Sequence, residues 1–597
     1  MDSIFFLGLS AYAWITIVTQ IGLLIFLART RIPTDVVFLG ALTVLLVTGV
    51  VTEEEGLAGF GSEPVVIHGA FFVIIAGLLQ SGVLYWLTSN ILGAPRNYND
   101  ALRRLMVPIA LLSALLNAVN VVALFIDAVK IWARKLDIAP SKLLLPLSYA
   151  ATLGGMCTLL GSSSNLVVAG LYLSSTGKSM NVFAPLVPGL IVAAVGLVMV
   201  VLLQKYIPER ESPEQSFETT SDYTVELLVP TDNPAVGSGV EEAGLYDVKG
   251  GSLVEIVRFD REIISPVPRD EWVMGGDRLI YAGQINEILE LKRTHGLAAA
   301  DHHVWSIDDI DKKRKMRTAY VTFGSPLIGK SMTESSFEQR NNVALVAVAR
   351  QGCRVEGLPR EIKIQAGDTL LLECPPKSDE QLERDNRRVL TFFDSHFVPQ
   401  LGPRTVTAAV ILLAMFIVSY FHVIPLMATT MLAAGAMITF GCCRKSEVAK
   451  YIEWELLLIL GSTVVISVAI TKTGIAEAIA LGIYDICGQN PYLILFLMCL
   501  LASFFSEFVS DVGAGAIFFP IMFEQAQLLG CNPMAFAIAL MISVTISFAS
   551  PIGSSTHMLI FAPGAFRFTD FLRLGTIMHA VLLIVAIGAV CLIYPLY

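Results

Sequence analysis

Two short hydroxyl-rich segments have the residue types and spacing that point most directly to chemistry. They are GSSSN, which starts at Gly161, and GSSTH, which starts at Gly553, 392 residues later. Serine and threonine hydroxyls donate hydrogen bonds to an oxyanion without adding charge. The structural alternative is that they satisfy backbone groups set free at helix breaks. Because the pattern recurs in both halves of the chain, we favour a binding site.

Carboxylates inside apolar runs are the second chemical signal, because they are costly in a membrane unless paired, hydrated or protonated. We expect Asp511 to hold a coupling ion, as a sodium ligand or a proton carrier; the alternative is a helix cap or a pair with Lys472. For Asp127, a salt bridge with Lys130 explains the charge equally well. His557 either extends a proton route from Asp511 or packs as a hydrogen-bonded core residue.

The composition is that of a polytopic membrane protein with a soluble insert. Hydrophobic residues make up 54% of the 597 residues and charged residues 15%, with a mean hydropathy of +0.67. Residues 204–403 hold 24 of the 41 Lys and Arg and 33 of the 51 Asp and Glu. The net charge of −10 argues against a nucleic-acid partner.

Apolar runs long enough to cross a bilayer predict five spans in the first half. Between the third and fourth, a segment at about 102–130 has basic residues at both ends. The positive-inside rule then predicts a re-entrant hairpin that enters and leaves on the cytoplasmic side. The predicted spans are 4–28, 36–51, 64–90, 141–172 and 183–203.

The second half repeats this plan at a nearly constant spacing. Gly82 in LLQSG and Gly474 in ITKTG are 392 residues apart, and SALLNAV at Ser113 matches SEFVSDV at Ser506 at 393. An odd number of crossings in each half predicts that the second copy lies inverted, with its own hairpin at about 492–530. We therefore predict transmembrane repeats at 1–203 and 400–597, an arrangement typical of secondary transporters.

The insert contains a repeat of its own. Gly-Asp pairs at Gly276 and Gly367 follow alternating β-branched runs, which predicts two small α+β units at 214–300 and 318–390 joined by a charged linker at 301–317. The soluble part has no nucleophile–base arrangement, Walker loop, dinucleotide fingerprint or metal-ligand spacing. We therefore expect no enzyme activity and no bound cofactor.

Several motifs resemble the divalent-anion/sodium symporter family over nearly the whole chain. They include EGLAGFGSEPVVIHGAFFVIIAGLLQSG, WELLLILG, SEFVSDVGAGAIFFPI and SPIGSSTHMLIFAPGAFRFTDFLRLG. The insert resembles two tandem TrkA-C (RCK-C) domains. The resemblance implies a homodimeric carrier of sulfate, phosphate or di- and tricarboxylates that moves its transport part as an elevator. It places cytosolic RCK-C domains, which either bind a nucleotide or only dimerise, beside a bacterial inner (plasma) membrane and its lipids.

The same resemblance implies site residues at the two hairpin tips and in two unwound helix segments. The tips depart from the family pattern, because residues with oxygen or amide groups are replaced by Ala118, Val119, Asp511 and Val512. The resemblance alone therefore does not assign the substrate. The residues implied for substrate binding are Asn117, Ser162, Ser163, Ser164, Asn165, Ser510, Ser554, Ser555 and Thr556. Those implied for the coupling ion are Ser113, Asn117, Gly161, Ser506, Asp511, Gly553 and His557, all but His557 as sodium ligands.

The leading hypothesis is therefore a secondary transporter of a small anion coupled to sodium or protons. A cation/proton exchanger is the first alternative, because the membrane part holds carboxylates and no basic residue at either tip. A sensor, in which the membrane part no longer transports and the RCK-C pair reports a ligand, is the second.

Overall fold

The computed structural model describes most of the chain. The described residues are 5–6, 9–29, 34–83, 95, 97–210, 224–248, 251–258, 262–264, 267–283, 295–299, 315–322, 325–335, 337–341, 343–350, 353–355, 359, 361–374, 390–392, 402–421, 424–444, 448–449, 451–508 and 510–597. Of the predicted linker, residues 301–314 lie outside this set. Its last three residues belong to a strand that begins at Lys315.

Helices form nearly all of the described chain on both sides of the insert. In the first half, after the short strands β1 (Phe5–Phe6) and β2 (Leu9–Ser10), these are α1 (Ala11–Arg29), α2 (Thr34–Val47), α3 (Glu53–Phe60), α4 (Glu63–Gln80), α5 (Tyr98–Leu115), α6 (Ala118–Lys135), α7 (Ser141–Gly155), α8 (Ser163–Thr176) and α9 (Leu186–Leu202). A 3-10 turn follows at Gln204–Tyr206.

The second half contains nine described helices with similar lengths and order. They are α12 (Pro403–Tyr420), α13 (Leu426–Thr439), α14 (Trp454–Lys472), α15 (Ile475–Cys487), α16 (Pro491–Ser506), α17 (Asp511–Leu528), α18 (Pro533–Thr545), α19 (Ser555–Phe561) and α20 (Phe568–Ile593). Among the described residues, four stretches are long and apolar enough to cross a membrane: Glu53–Gln80, Pro403–Tyr420, Trp454–Lys472 and Phe568–Ile593.

Helix boundaries recur at the spacing seen in the sequence. α2 and α13 begin and end 392 residues apart, and α6 and α17 begin and end 393 residues apart. The turns that follow α4 and α14 are also alike, because Gly82 and Gly474 adopt left-handed backbone angles with φ of 76° and 74°. Only glycine adopts this conformation at little cost.

The apolar run at 141–172, predicted as one crossing, is two helices with a break between α7 and α8. The second half has a matching break between α18 and α19. Gly161 lies in the first break, where a Cβ atom would come within 2.6 Å of the Gly155 carbonyl oxygen. The approach of two backbone segments therefore requires glycine here.

The two pairs of helices around the predicted hairpins are α5 with α6 and α16 with α17. The first pair, Tyr98–Lys135, extends beyond the predicted 102–130 at both ends. It begins earlier because the Asn97 side chain caps α5 by accepting a hydrogen bond from the Asp100 backbone N–H at 2.9 Å. The second pair, Pro491–Leu528, agrees closely with the predicted 492–530.

Helices α7 and α18 lie at the centre of the membrane part, because nearly all their residues are buried. Each leads directly into one of the two breaks. The first break is therefore buried among packed helices, and the second is mostly buried, with Ile552 exposed. This position suits segments with unpaired backbone groups, which a membrane protein must enclose in protein or in a water-filled cavity.

The insert folds into two antiparallel sheets. The first has the order β4-β5-β7-β3-β8, with β6 paired to β5, and the second the order β11-β10-β12-β9-β13. The first sheet contains β3 (Thr224–Leu228), β4 (Asp247–Val248), β5 (Gly251–Arg258), β6 (Glu262–Ile264), β7 (Arg278–Gly283) and β8 (Ala298–Ala299). The second contains β9 (Lys315–Val321), β10 (Ala344–Arg350), β11 (Cys353–Arg354), β12 (Thr369–Cys374) and β13 (Leu390–Phe392), with the short helices α10 (Met332–Ser335) and α11 (Phe337–Asn341) between β9 and β10.

Each sheet contains an equivalent arginine–aspartate ion pair with a buried carboxylate. Arg258 contacts Asp277 at 3.1 Å, and Arg350 contacts Asp368 at 2.7 Å. In each case the neighbouring aspartate raises the pKa of the arginine. The central strand orders β5-β7-β3 and β10-β12-β9 also correspond. Two units of similar topology therefore make up the insert.

Candidate functional site

A cavity of about 100 Å³ lies where the two hairpin tips meet the two helix breaks. It is large enough for a small ion with a few waters. Its walls come from the first tip, the first break, the second tip, the second break, the two central helices and the start of α14. The lining residues are Asn117, Ala118, Val119, Thr152, Gly155, Gly161, Ser162, Ser163, Glu453, Leu456, Asp511, Val512, Thr545, Ser554, Ser555 and Thr556.

The first hairpin tip is bound to the first break. Asn117 caps α6, because its Oδ1 accepts from the Val119 N–H at 3.0 Å. Its Nδ2 donates to the Ser163 hydroxyl at 3.1 Å. The Ala118 N–H donates to the Gly161 carbonyl, also at 3.1 Å. Tip and break therefore form one rigid wall of the cavity.

Asp511 projects from the second tip and faces the first break. Its Oδ1 accepts from the Val512 N–H at 2.9 Å, and Asp511 lines the cavity together with Ser162 and Ser163. The alternative pair with Lys472 is wrong, because that lysine lies 3.0 Å from Glu55. The carboxylate therefore belongs to the cavity.

Two pairs of hydroxyls join the halves at equivalent positions. Ser164 contacts Thr545 at 3.3 Å, and Thr556 contacts Thr152 at 2.9 Å. In each pair a residue in the first turn of the helix after a break meets the central helix of the other half. These contacts hold the two breaks together.

Ser113 and Ser506 occupy equivalent buried positions behind the breaks. Their hydroxyls donate to the Ala151 and Val544 carbonyls at 2.5 and 2.6 Å. Neither lines the cavity, so their hydroxyls are committed to helix packing. Their carbonyls lie close to the breaks: a Cβ on Gly161 would lie 2.7 Å from the Ser113 oxygen. Any ion contact at these serines would involve the backbone.

Asn165 lies behind the cavity wall and supports the first break. Its Nδ2 donates to the Gly155 and Thr158 carbonyls at 3.3 and 2.9 Å. Its Oδ1 is buried and has no hydrogen-bond partner among the described residues. This amide oxygen can therefore accept a hydrogen bond or coordinate a cation.

His557, at the equivalent position of the second half, is fully buried and lies outside the cavity. Its Nδ1 lies 2.6 Å from the Ser148 hydroxyl. Its ring packs between the rings of Tyr149 and Phe571, with centroid distances of 5.0 and 5.6 Å. These contacts agree with the packing alternative.

Eight of the predicted residues line the cavity, and the others support it from behind. The lining ones are Asn117, Gly161, Ser162, Ser163, Asp511, Ser554, Ser555 and Thr556. The supporting ones are Ser113, Ser164, Asn165, Ser506, Ser510, Gly553 and His557; Ser510 caps α17 by accepting from the Gly513 N–H at 3.1 Å. Asp127 lies outside the site, with its carboxylate 3.7 Å from the Lys130 ammonium.

Sequence reasoning missed Thr152, Thr545 and Glu453. The two threonines are 393 residues apart, the spacing that relates the halves, so the repeat itself could have identified them. Glu453 immediately precedes the motif WELLLILG, with which α14 begins, and is exposed at the cavity rim. Nothing in its local sequence separates it from an ordinary helix-start acid.

The charges of the cavity favour an anion together with a cation or a proton. The N-termini of α6, α8 and α17 open onto it, and the positive ends of their dipoles attract an anion. No Lys, Arg or His is among the described lining residues, whereas Asp511 and Glu453 are. A dianion therefore requires that positive charge enter with it.

A family model for citrate transporters (CitMHS) matches the chain over residues 23–462 and 410–596. The chain belongs to the citrate transporter family. It is 28% identical to an uncharacterized transporter of Synechocystis sp., over 97% of each chain. It is 24% identical to an uncharacterized transporter of Escherichia coli K12, over 98% of this chain and 99% of the other.

The chain also resembles sodium/sulfate cotransporter 1 of Chlamydomonas reinhardtii, with 29% identity over 58% of this chain and 41% of that one. The family match, together with the long apolar helices of this chain, confirms the broad prediction of a membrane transporter. The sequence motifs suggested the divalent-anion/sodium symporter family, whereas the family model that matches is the one for citrate transporters. These matches span the inserted units, but none of their descriptions mentions RCK-C domains. The RCK-C character of the insert therefore stays a prediction.

Proposed function

We propose that the protein is a secondary active transporter that moves a small oxyanion, sulfate-like or a di- or tricarboxylate, together with sodium ions or protons. The observation that carries this proposal is the position of Asp511: a carboxylate from the second tip lines the same cavity as Ser162 and Ser163. It does so in a cavity onto which three helix N-termini open. Anion-binding groups and a cation-binding group thus share one site.

The carboxylate supplies the coupling. Two unit charges 4 Å apart interact by about 4 kcal/mol at an effective dielectric constant of about 20. An ionised Asp511 therefore opposes a dianion at the hydroxyls of Ser162 and Ser163. When sodium or a proton neutralises Asp511, this repulsion disappears. The anion then binds tightly only when the coupling ion is also bound.

Oxygen atoms around the first break support a sodium site. The Asn165 Oδ1 has no described partner, and the carbonyls of Ser113 and Gly155 approach Gly161 closely. Carbonyl and amide oxygens are the ligands that hard cations prefer. The similarity to sodium/sulfate cotransporter 1 also supports sodium as the coupling ion and a sulfate-like anion as the substrate.

An elevator movement agrees with the way the elements are bound to one another. The hydroxyl pairs between halves, and the Tyr149 hydroxyl that donates to the Phe548 carbonyl at 3.1 Å, tie both breaks into one body with the hairpins. Helices α2, α4, α13 and α14 would form the fixed scaffold. The matched helix boundaries and the left-handed Gly82 and Gly474 support the inverted repeat that this mechanism uses.

The inserted units are well placed to regulate this movement from the cytoplasm of a bacterial cell. The Lys130 ammonium, near the end of α6, lies 3.3 Å from the Tyr320 hydroxyl of β9 and 5.7 Å from its ring centre. Gly367 lies against Phe561 of α19. The second unit therefore contacts one helix of the first hairpin and the helix after the second break. RCK-C-type nucleotide binding or homodimerisation could act through these contacts.

Uptake into proteoliposomes tests the transport proposal. We expect radiolabelled sulfate, citrate or succinate to accumulate when a sodium or proton gradient is imposed. Uptake of none of them under either gradient would contradict it. The exchanger alternative, which the carboxylates and the lack of basic lining residues favour, predicts instead that an imposed sodium gradient drives proton movement without any anion.

Deletion of residues 214–390 tests the regulatory role. We expect the deletion variant to keep transport and to lose any dependence on added nucleotide. The Tyr320→Phe variant removes only the hydroxyl that faces Lys130 and is the finer test. Loss of all transport in a correctly folded deletion variant would contradict a purely regulatory role.

A further inference from the structure

The walls of the site cavity come from both the moving and the fixed part of the proposed transporter. Of its described lining residues, only Glu453 and Leu456 belong to the scaffold, at the start of α14. All the others come from the hairpin tips, the breaks and the two central helices. An elevator movement carries those elements past the scaffold. The contribution of Glu453 to the cavity therefore depends on where the transport part stands.

The start of α14 lies on the same side of the membrane as the insert. Helix α12 follows the insert, and the Thr405 hydroxyl in its first turn donates to the Ser81 carbonyl at 2.6 Å. The Arg444 N–H, beyond the end of α13, donates to the Gln80 side chain at 2.9 Å. Helix α14 begins after a short polar segment that follows Arg444. Because Glu453 is exposed there, the cavity reaches the insert side, which the sequence predicts to be the cytoplasm.

The equivalent helix of the first half begins on the opposite side. At the 392-residue spacing that relates Gly82 to Gly474, the residues Glu453 and Leu456 correspond to Gly61 and Pro64. Helix α4 has 18 residues, which span about 27 Å. Its end lies near the insert, because Gln80 contacts Arg444. Its start therefore lies near the opposite membrane face.

The two equivalent helix starts have different neighbours in this structure. Leu456 lines the site cavity beside the hydroxyl segments. Pro64 instead packs against the middle of α8, where a Cβ on Gly170 would collide with the proline ring. Pro64 and Gly170 border a separate cavity of about 290 Å³, which shares no described lining residue with the site cavity. The transport part therefore meets the two scaffold helices asymmetrically, as expected for one of two alternating states.

We propose that the Glu453 carboxylate lowers the affinity of the site for the anion in the state that opens to the insert side, and in that state only. This inference rests on the proposed transport function and adds a sidedness to it. In an inverted repeat, the two halves exchange their roles between the two states. When the transport part moves to the opposite face, the start of α4 takes the place of the start of α14. Gly61 then stands where Glu453 stands now.

This exchange removes one negative charge from the cavity. An exposed carboxylate is charged near neutral pH, and at the cavity rim it repels an anion held at the hydroxyls of Ser162 and Ser163. Glycine at position 61 adds no charge. A single sodium ion or proton at Asp511 neutralises one of the two carboxylates and leaves the other. The anion therefore binds more weakly on the insert side, which favours its release there.

Anion binding to protein locked in the described state tests the proposal. A Cβ on Gly170 lies 3.2 Å from the Pro64 Cβ, close to the separation of about 3.8 Å found in disulfides. Pro64→Cys with Gly170→Cys therefore joins α4 to α8 and holds the transport part at the insert side. In the locked protein, at fixed sodium concentration and pH, we expect Glu453→Gln to bind labelled sulfate or citrate about tenfold more tightly. A reducing agent reverses the lock.

Glu455→Gln is the matched control for this experiment. Glu455 lies two residues further along, is also exposed and is not among the residues that line the cavity, so its loss should change affinity less than about twofold. The gain in Glu453→Gln should also shrink in concentrated choline chloride, because the Debye length falls from about 10 Å at 0.1 M to about 3 Å at 1 M. Equal affinities of locked Glu453→Gln and its locked parent would overturn the proposal.

Gly61→Glu tests the exchange of the helix starts without any disulfide. Gly61 has a φ of −85°, and the nearest atom to a new Cβ is 3.8 Å away, so a side chain fits. In proteoliposomes of known orientation, we expect Gly61→Glu to raise the half-saturating anion concentration for entry from the face opposite the insert about tenfold. Gly61→Gln should remain close to wild type. Equal values for Gly61→Glu and Gly61→Gln would contradict the exchange.

Failure of the transport proposal gives a different result from failure of this inference. If the unlocked wild type binds no anion and neither gradient drives uptake, the proposed function fails and this inference fails with it. If the wild type binds and transports an anion, but Glu453→Gln has the parent's affinity in the locked state, only the role of Glu453 is refuted.

Discussion

The two halves of the site share a backbone frame and differ in the chemistry attached to it. Both contain a capped hairpin tip, a helix break and a hydroxyl that crosses to the other half. The first tip presents Asn117 and Ala118, and the second presents Ser510 and Asp511. Behind the breaks, the first half has an amide, Asn165, where the second half has a histidine, His557, at the equivalent position.

This difference teaches how a duplicated fold can bind two unlike ions. Repetition fixes where helix N-termini, hydroxyls and glycines lie, because these features depend on backbone geometry. Individual side chains then specialise each half. Neutral donors predominate in the first half, whereas the second half has the carboxylates Asp511 and Glu507 and the imidazole of His579. We infer that neutral donors recognise the anion, while Asp511 of the second half and the oxygen atoms around the first break together hold the coupling cation.

The largest effect should come from removing the carboxylate of the second tip. In Asp511→Asn, we expect gradient-driven anion uptake to fall about ten- to hundredfold, since hydrogen bonds to a charged group contribute about 1.5–3 kcal/mol. Exchange of internal for external anion should persist, because the neutral site still binds the anion. Uptake and exchange in proteoliposomes measure both.

Asp127→Asn is the matched control for that experiment. This carboxylate belongs to the first hairpin but pairs with Lys130 away from the cavity. Its loss should change uptake by less than about twofold, because such pairs contribute about 0–1 kcal/mol. An Asp511→Asn variant with unchanged sodium and pH dependence would rule out the coupling role.

Making the first tip resemble the second should also impair the transporter. In Ala118→Asp, a second carboxylate enters the cavity, and we expect anion affinity to fall about tenfold at fixed sodium concentration and pH, given the repulsion between like charges in a partly buried site. The loss should shrink as sodium or proton concentration rises. Ala118→Asn, which adds similar volume without charge, separates the electrostatic effect from crowding.

The hydroxyl pairs between halves should contribute moderately and unequally to stability. We expect Thr152→Val to lower the free energy of unfolding by about 1 kcal/mol, because Thr152 contacts Thr556 at 2.9 Å. Thr545→Val should cost less, because the contact from Thr545 to Ser164 is longer, at 3.3 Å. Thermal unfolding of both variants measures the difference, and a larger loss for Thr545→Val would contradict it.

The smallest effects should be equal in the two halves. Gly82→Ala and Gly474→Ala should each lower the free energy of unfolding by about 1 kcal/mol, because alanine is strained at positive φ. At Gly474 no atom lies within 4 Å of a new Cβ, so packing plays no part there. Gly435→Ala, in the middle of α13, is the control and should be neutral or slightly stabilising. Clearly unequal costs would show that the turns are not equivalent.

Much of the frame could be predicted from the sequence, because repetition leaves a pattern in small residues. The spacing between Gly82 and Gly474, and between Gly161 and Gly553, is the one that the helix boundaries repeat, whereas the unwound segments at Gly161 and Gly553 were implied by the family resemblance. The structure brings both hydroxyl segments to one cavity, which the repeat spacing alone does not predict. The break inside 141–172 escaped the hydropathy pattern, because its residues are as apolar as those of the flanking helices.

Interactions between distant elements could not be predicted in the same way. His579 meets Glu507 only because α20 packs against α16, and neither residue belongs to a recognisable motif. The contact of Lys130 with Tyr320 depends on how the insert lies against the first hairpin. Ser113 was expected to offer its hydroxyl to an ion, yet the structure commits that hydroxyl to the Ala151 carbonyl.

Equilibrium binding of labelled sulfate or citrate to the purified protein, at several sodium concentrations and pH values, tests the central claim most directly. For wild type, we predict that affinity rises with sodium concentration or as pH falls, since a cation must neutralise Asp511 before a dianion binds. Asp511→Asn should bind the same anion with that dependence reduced or lost. Equal dependence in both proteins would contradict the account.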